Sequence, residues 1–180
     1  MTLSQWSMLL GAALAASGAF MLLFPSRAAE FLKAYPRHVW LGRIVSLLAW
    51  IGAGAAAMDM GWDFLEPYKK YTPAIVAVCI PLTWWALDNL LACRAWGGIL
   101  CLFPLWFLAA SRMNYSPWRL IPVCFAYLCI IKGMLLILYP WYLRRELAWT
   151  AESPLRIRAV GAARALLGAV FLALALTALK

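Results

Sequence analysis

Long apolar runs, separated by short polar segments, dominate this chain. Six of them approach the roughly 20 residues that a helix needs to cross a bilayer. They cover about residues 3–24, 39–58, 72–91, 95–111, 118–139 and 158–179. The third and fourth share one stretch that polar residues and a glycine pair interrupt, so a re-entrant hairpin is an alternative there. The pattern predicts an all-α, polytopic membrane helix bundle of about six transmembrane helices in a single membrane domain, residues 1–180.

The composition supports the membrane class. Hydrophobic residues make up 66% of the 180 residues and charged residues 13%, whereas soluble domains carry roughly 25% charged residues. A soluble domain of this length could not bury so much apolar surface. The five cysteines contain no C-x-x-C pair, so we expect reduced thiols that pack as small apolar side chains.

The basic residues predict an orientation. With six spans and an external N-terminus, the inner segments carry ten of the 16 Lys and Arg residues and the outer segments carry five. The positive-inside rule then places both termini on the outer, periplasmic side of a bacterial-type inner membrane. We expect the first span to be retained, because basic residues follow it rather than precede it. The inner basic belt suits anionic lipids as partners and argues against nucleic acid.

Two segments of the chain share a motif. Residues 17–25 read SGAFMLLFP and residues 132–140 read KGMLLILYP, each with Gly seven residues before Pro and an aromatic residue next to the Pro. An amphipathic stretch, a further Pro and another span follow each copy. This predicts a parallel internal repeat, with units at 1–60 and 118–180 on either side of a middle helical hairpin at 72–111.

Glycines in this pattern predict close helix contacts, because a residue without a side chain lets a second backbone approach. The candidates are Gly18 and Gly133 in the repeated motif, and Gly161 and Gly168 in the last span. Tryptophans predict anchors at the head groups. Trp141, Arg145 and Trp149 lie four residues apart on one predicted helical face, where cation–π stacking would hold them, and Trp62 lies in an outer loop.

The repeated unit resembles the short two-span YjeT-like bacterial inner-membrane proteins of unknown function. Their pattern is a span, Gly, Tyr-Pro, an amphipathic linker, Pro, Leu-Arg-x-x-Gly and a second span. Residues 133–140 and 154–161 match it best, and residues 18–25 match its beginning. The resemblance covers about half of the chain and none of the middle hairpin. It implies a small accessory membrane protein and supplies no catalytic residues.

Lys132 lies within the fifth apolar run. An ammonium at the centre of a membrane helix costs roughly 2.5–3.5 kcal/mol, so it needs a partner, a water-filled cavity or a ligand group. Asp88, followed by Asn89, is the one carboxylate within a predicted span. The sequence therefore predicts an intramembrane polar pair. This pair would serve an ion or proton relay, a cofactor contact or a bridge between subunits, or it would fix helix register. Snorkelling of Lys132 to the inner interface is the remaining alternative.

Two further polar features carry weaker hypotheses. His38 is the one histidine and lies at the inner start of the second span, where it could ligate one chlorin-type pigment or one haem, or serve as an interfacial polar residue. Asp59, Asp63 and Glu66 are spaced as one acidic face of an interfacial amphipathic helix in the outer loop. No metal site is predicted.

The chain contains no GxSxG, HExxH, Walker A or GxGxxG motif, so we expect a protein that is not an enzyme. The first hypothesis is a non-catalytic accessory or scaffold subunit that joins other membrane protein subunits, with an energy-transducing complex as a natural host. One alternative is a small transporter or channel with Lys132 and Asp88 in the path. The other is a pigment- or haem-binding subunit that uses His38. Lipid, chlorin and haem are the candidate ligands.

Overall fold

The computed structural model describes residues 2–61, 63–86, 91–112 and 114–178. These residues form eight α-helices, and the described part of the chain contains no strand. The helices are α1 Leu3–Leu23, α2 Pro25–Ala34, α3 Val39–Met58, α4 Thr72–Ala86, α5 Leu91–Arg112, α6 Leu120–Leu138, α7 Pro140–Ala151 and α8 Pro154–Thr177. Short 3-10 segments lie at Tyr35–Arg37, Asp63–Tyr71 and Pro117–Arg119.

Five stretches of the described residues are long and apolar enough to cross a membrane. They are α1, α3, α5, α8 and Pro117–Leu138, which contains α6. The predicted all-α, polytopic membrane bundle is therefore confirmed. The fourth span is longer than predicted, since α5 has 22 residues, and the third is shorter, since α4 has 15. The predicted third span continues to residue 91, but residues 87–90 lie outside the described part.

Proline sets several helix boundaries. Pro25 and Pro140 each occupy the first position of the helix that follows a span, where the missing N–H group costs nothing. Pro154 does the same in α8, which begins four residues earlier than predicted with Ser153 as its N-cap. The two copies of the Gly-to-Pro motif thus have the same local structure, while their origin by duplication stays a prediction.

The loop between α3 and α4 differs from the predicted amphipathic helix. Asp59 caps the C-terminus of α3, and Asp63–Tyr71 forms a 3-10 segment that contains Pro67. The three acidic residues therefore do not belong to one α-helical face. Glu66 accepts a hydrogen bond from Lys69 at 2.8 Å, three residues along, which is the spacing that a 3-10 turn brings together.

The chain divides into two compact units. The terminal unit comprises Met1–Ala34, Trp106–Leu128 and Arg145–Lys180, and the central unit comprises Tyr35–Leu105 and Cys129–Arg144. In the terminal unit α1 and α8 run antiparallel. The Ser4 hydroxyl donates to the carbonyl of Ala175 at 2.8 Å near one end of this pair. Met21 and Ile157 are buried together near the other end, where Ala28 of α2 joins them.

In the central unit α3 and α5 run parallel. A β-carbon built on Gly42 would lie 3.1 Å from the backbone nitrogen of Ala92, and one built on Gly98 would lie 3.5 Å from the β-carbon of Ala49. From the first contact to the second, the residue numbers rise on both helices, so the two helices run in the same direction. This register brings the first turns of α3 and α5 to the same level.

Helices α4 and α6 run opposite to their neighbours within the central unit. Gly97 of α5 faces Leu136 of α6, whereas Cys101, one turn later, donates to the carbonyl of Ile130 at 3.7 Å. α4 is antiparallel to α3, because residues near the start of one helix contact residues near the end of the other. The parallel α3 and α5 are consistent with the predicted crossing between them, although the 15 residues of α4 are fewer than those of each of the five candidate spans. The antiparallel α1 and α8 agree with six alternating crossings.

Candidate functional site

The glycines of the terminal unit lie where two backbones touch. A β-carbon on Gly18 would come within 2.6 Å of the carbonyl oxygen of Gly161, and one on Gly168 would come within 2.7 Å of the carbonyl oxygen of Gly11. All four glycines are buried. Such distances exclude any larger residue without separation of the helices, so van der Waals contact between backbones holds α1 to α8.

Gly133 has the same role in the central unit but a different kind of partner. A β-carbon there would meet the sulfur of Cys101 at 2.6 Å and the carbonyl oxygen of Gly97 at 2.7 Å. Gly18, its counterpart in the repeated motif, faces the last span, whereas Gly133 faces a helix of the middle hairpin. The shared motif therefore supports close packing at both places without equivalent contacts.

A cavity of about 460 Å³ opens between the helices of the central unit. This volume lies in the range of roughly 300–1,000 Å³ that small-molecule and cofactor sites occupy. Small side chains create the space, since Ala49 and Ala53 of α3 face Ala95 and Gly98 of α5 across it. The other lining residues are Ser46, Trp50, Thr83, Leu91, Arg94, Cys101, Leu102 and Ile137.

The two hydroxyl groups in this lining are already engaged. Ser46 donates to the carbonyl of Arg43 at 2.9 Å and accepts from the indole of Trp84 at 2.8 Å. Thr83 donates to the carbonyl of Cys79 at 2.6 Å, and it accepts from Trp50 at 3.0 Å. These two pairs fix α4 to α3 and leave the walls of the cavity effectively apolar.

Arg94 is the one charged side chain in the lining, and it lies in the first turn of α5. Its Nε atom is buried and has no hydrogen-bond partner in the described part of the chain. Arg43 lies at the same level of α3 and also has a buried Nε atom without such a partner. The Arg43 guanidinium stacks over Trp40 and Trp84, 5.6 Å from each ring centre. The positive charge of the two guanidinium groups favours an anion near this end of the cavity.

The structure describes only one member of the predicted intramembrane pair. Lys132 lies on the exposed side of α6, next to the buried Gly133. Asp88 and Asn89 lie outside the described residues, so the pair stays a prediction. Lys132 is six residues from the end of α6 at Leu138, about 9 Å at 1.5 Å per residue, which is short enough for the ammonium to extend toward the interface.

His38 is the N-cap of α3. Its Nδ1 atom accepts a hydrogen bond from the backbone N–H of Leu41 at 3.3 Å, and its side chain is exposed. With Nδ1 as the acceptor, the neutral ring carries its proton on Nε2, so ligation of a haem or chlorin metal by Nε2 would require the other tautomer and loss of this cap. Within the described residues no group of three or more His, Cys, Asp or Glu side chains could hold a metal ion.

Tyr35 connects the chain ahead of α3 to α5. Its hydroxyl donates to the carbonyl of Ala92 at 3.5 Å. Burial, with a smaller effect from the nearby Cys93 thiol, raises the pKa of Tyr35 to about 12. The phenol is therefore held neutral over the physiological pH range.

The predicted anchors of α7 lie on its surface. Trp141, Arg145 and Trp149 are all exposed, as residues that reach the head groups would be. The cation over Trp149 is Arg156, 4.5 Å from the ring centre, and Arg156 also pairs with Glu152 at 2.6 Å. The predicted stacking thus uses a residue from the first turn of α8. Trp62 lies outside the described residues.

Sequence reasoning missed the cavity and the two arginines beside it. Arg43 and Arg94 are among the basic residues predicted for the inner segments, and Arg94 and the Gly97-Gly98 pair are among the residues that interrupt the shared apolar stretch. The available signal was a row of small residues on two spans, at Ala49, Ala53, Ala95 and Gly98. That row predicts close contact as readily as a cavity.

Comparison with known proteins adds no relative, since no family model, no curated protein and no solved structure matches this chain.

Proposed function

We propose that this chain is a non-catalytic, multi-span accessory or scaffold subunit of a larger membrane complex, and that α4 contacts the neighbouring subunit. The observation that carries the proposal is the packing of α4. None of its 15 residues is buried. It contacts α3 along one side only, through the two tryptophan–hydroxyl pairs and through Val76, which faces Gly54.

The opposite side of α4 carries a regular row of large apolar side chains. Ile75, Val78, Leu82 and Trp85 are all exposed, and Trp85 is the most exposed at 82%. Their spacing of three, four and three residues is the spacing of a seam between two packed helices. A row of this spacing forms one continuous helix face, against which a second helix could pack. The occupant we propose is a transmembrane helix of another subunit.

The orientation of α4 is fixed, and this supports a docking role. Trp50 of α3 donates to Thr83 of α4 at 3.0 Å, and Trp84 of α4 donates to Ser46 of α3 at 2.8 Å. A partner would therefore meet a preformed surface and would not need to order the helix first.

The experiment is purification of the tagged protein from its native membrane in mild detergent, with mass spectrometry of the proteins that accompany it. We expect a partner at constant stoichiometry. Val78→Trp should remove it, because the larger ring would separate the two helices. Val170→Trp is the matched control, since Val170 is also exposed but lies on α8. We expect this control to keep the partner.

Two outcomes contradict the proposal. One is a wild-type chain that migrates alone as a stable homo-oligomer with no other protein. The other is equal recovery of the partner with both variants, which would remove α4 from the contact.

A further inference from the structure

The cavity of the central unit has the length of one membrane leaflet. Its lining on α5 runs from Leu91 to Leu102, about 16 Å at 1.5 Å per residue. The hydrocarbon core of a bilayer is roughly 30 Å thick, so the cavity spans about half of it. Arg94, the charged residue in the lining, lies in the first turn of α5, close to one end of this span. The shape is therefore an apolar slot with a cation at one end.

A second arginine, Arg43, lies beside that end without lining the cavity. Because Gly42 packs against Ala92, Arg43 and Arg94 lie at the same level of two parallel helices. Trp84 stacks on Arg43 and donates to Ser46, which itself lines the cavity. Basic pockets between transmembrane helices near a membrane surface are typical binding places for acidic lipid head groups.

We propose that this cavity is a binding site for one anionic phospholipid. An acyl chain would lie between α3 and α5 along Ala49, Ala53, Ala95 and Gly98. The phosphate would pair with the guanidinium of Arg94 at the end of the slot. Arg43 would add its positive charge at the same level. This inference is independent of the proposed contact through α4.

The test is native mass spectrometry of the full-length protein in mild detergent with added dioleoylphosphatidylglycerol, dioleoylphosphatidylcholine or oleate. We expect the wild type to retain one phosphatidylglycerol, roughly tenfold more tightly than phosphatidylcholine. Arg94→Gln should abolish this preference. Ala53→Phe should fill the slot and weaken the retention of both phospholipids. Arg158→Gln removes an exposed arginine of α8 and should change nothing.

A second measurement does not rely on a variant that fills the cavity. Phosphatidylglycerol with a brominated acyl chain should quench the fluorescence of Trp50, which lines the cavity. The quenched signal should therefore be smaller in Trp50→Phe. Equal phosphatidylglycerol retention by the wild type, Arg94→Gln and folded Ala53→Phe would overturn the proposal. So would tight retention of oleate without any retention of phosphatidylglycerol, or quenching that Trp50→Phe leaves unchanged.

Discussion

Gly168 and Ala15 touch through their backbones, since a β-carbon on Gly168 would come within 2.5 Å of the backbone nitrogen of Ala15. We predict that Gly168→Val lowers the free energy of unfolding by about 3 kcal/mol, at the upper end of the usual range for overpacking, because a backbone cannot move aside as a rotamer can. Titration with a denaturing detergent, followed by circular dichroism, measures the change. Ala169→Val lies on the same turn with an exposed side chain and should cost less than about 0.5 kcal/mol.

Lys132 separates the scaffold hypothesis from the transporter hypothesis. We predict that Lys132→Met leaves the flux of protons and small ions across proteoliposomes at the wild-type level, because an accessory subunit conducts nothing. Lys132→Arg, which keeps the charge, is the matched control. A flux that the wild type and Lys132→Arg support and Lys132→Met loses, with complex yield intact, would establish the transporter instead.

His38 should matter as a cap. Since its Nδ1 atom accepts from Leu41, we predict that His38→Ala destabilises the protein by about 1 kcal/mol and that His38→Asn restores most of the loss. Thermal unfolding of the two variants gives both values. The absorption spectrum of the purified protein tests the alternative role of His38 as a metal ligand. A stoichiometric chromophore that disappears in His38→Ala would favour the pigment- or haem-binding hypothesis.

Tyr35 should remain protonated when exposed tyrosines ionise. Its pKa of about 12 in the folded protein lies above the value of 10.0 for an unperturbed tyrosine. The folded state therefore holds this proton more tightly, and stability falls as the pH rises between these two values. In an ultraviolet titration, the wild type should show one tyrosinate signal near pH 12 that Tyr35→Phe lacks. If the signal that the variant lacks instead rises near pH 10, the phenol is not buried.

The sequence predicted elements well and contacts poorly. α3 spans Val39–Met58, the same bounds as the predicted second span, because an unbroken apolar run and His38 mark its limits. The end of α4 was harder to predict, since its apolar run continues into polar residues without a clear stop signal. Gly18 and Gly133 could be predicted as contact residues from their type alone.

The cavity could not be predicted, because it depends on register between helices that are distant in the chain. Arg43 and Arg94 share one level only because Gly42 packs against Ala92, and nothing in either local pattern specifies that pairing. The hydrogen bond from Trp84 to Ser46 has the same origin, since it joins residues that are 38 positions apart. Periodicity predicts which face of a helix is apolar, and it does not predict the neighbour that this face contacts.

The bond between Ser4 and Ala175 has a topological consequence. It brings the beginning of α1 and the end of α8 to one membrane surface, side by side. A short peptide linker there would convert the chain into a covalent ring with no additional crossing. New ends could then be opened at Tyr115, which is 93% exposed in the turn between α5 and α6. In such a circular permutant α8 and α1 would follow each other in the chain, so their contact would join neighbouring helices and no longer the two ends of the sequence.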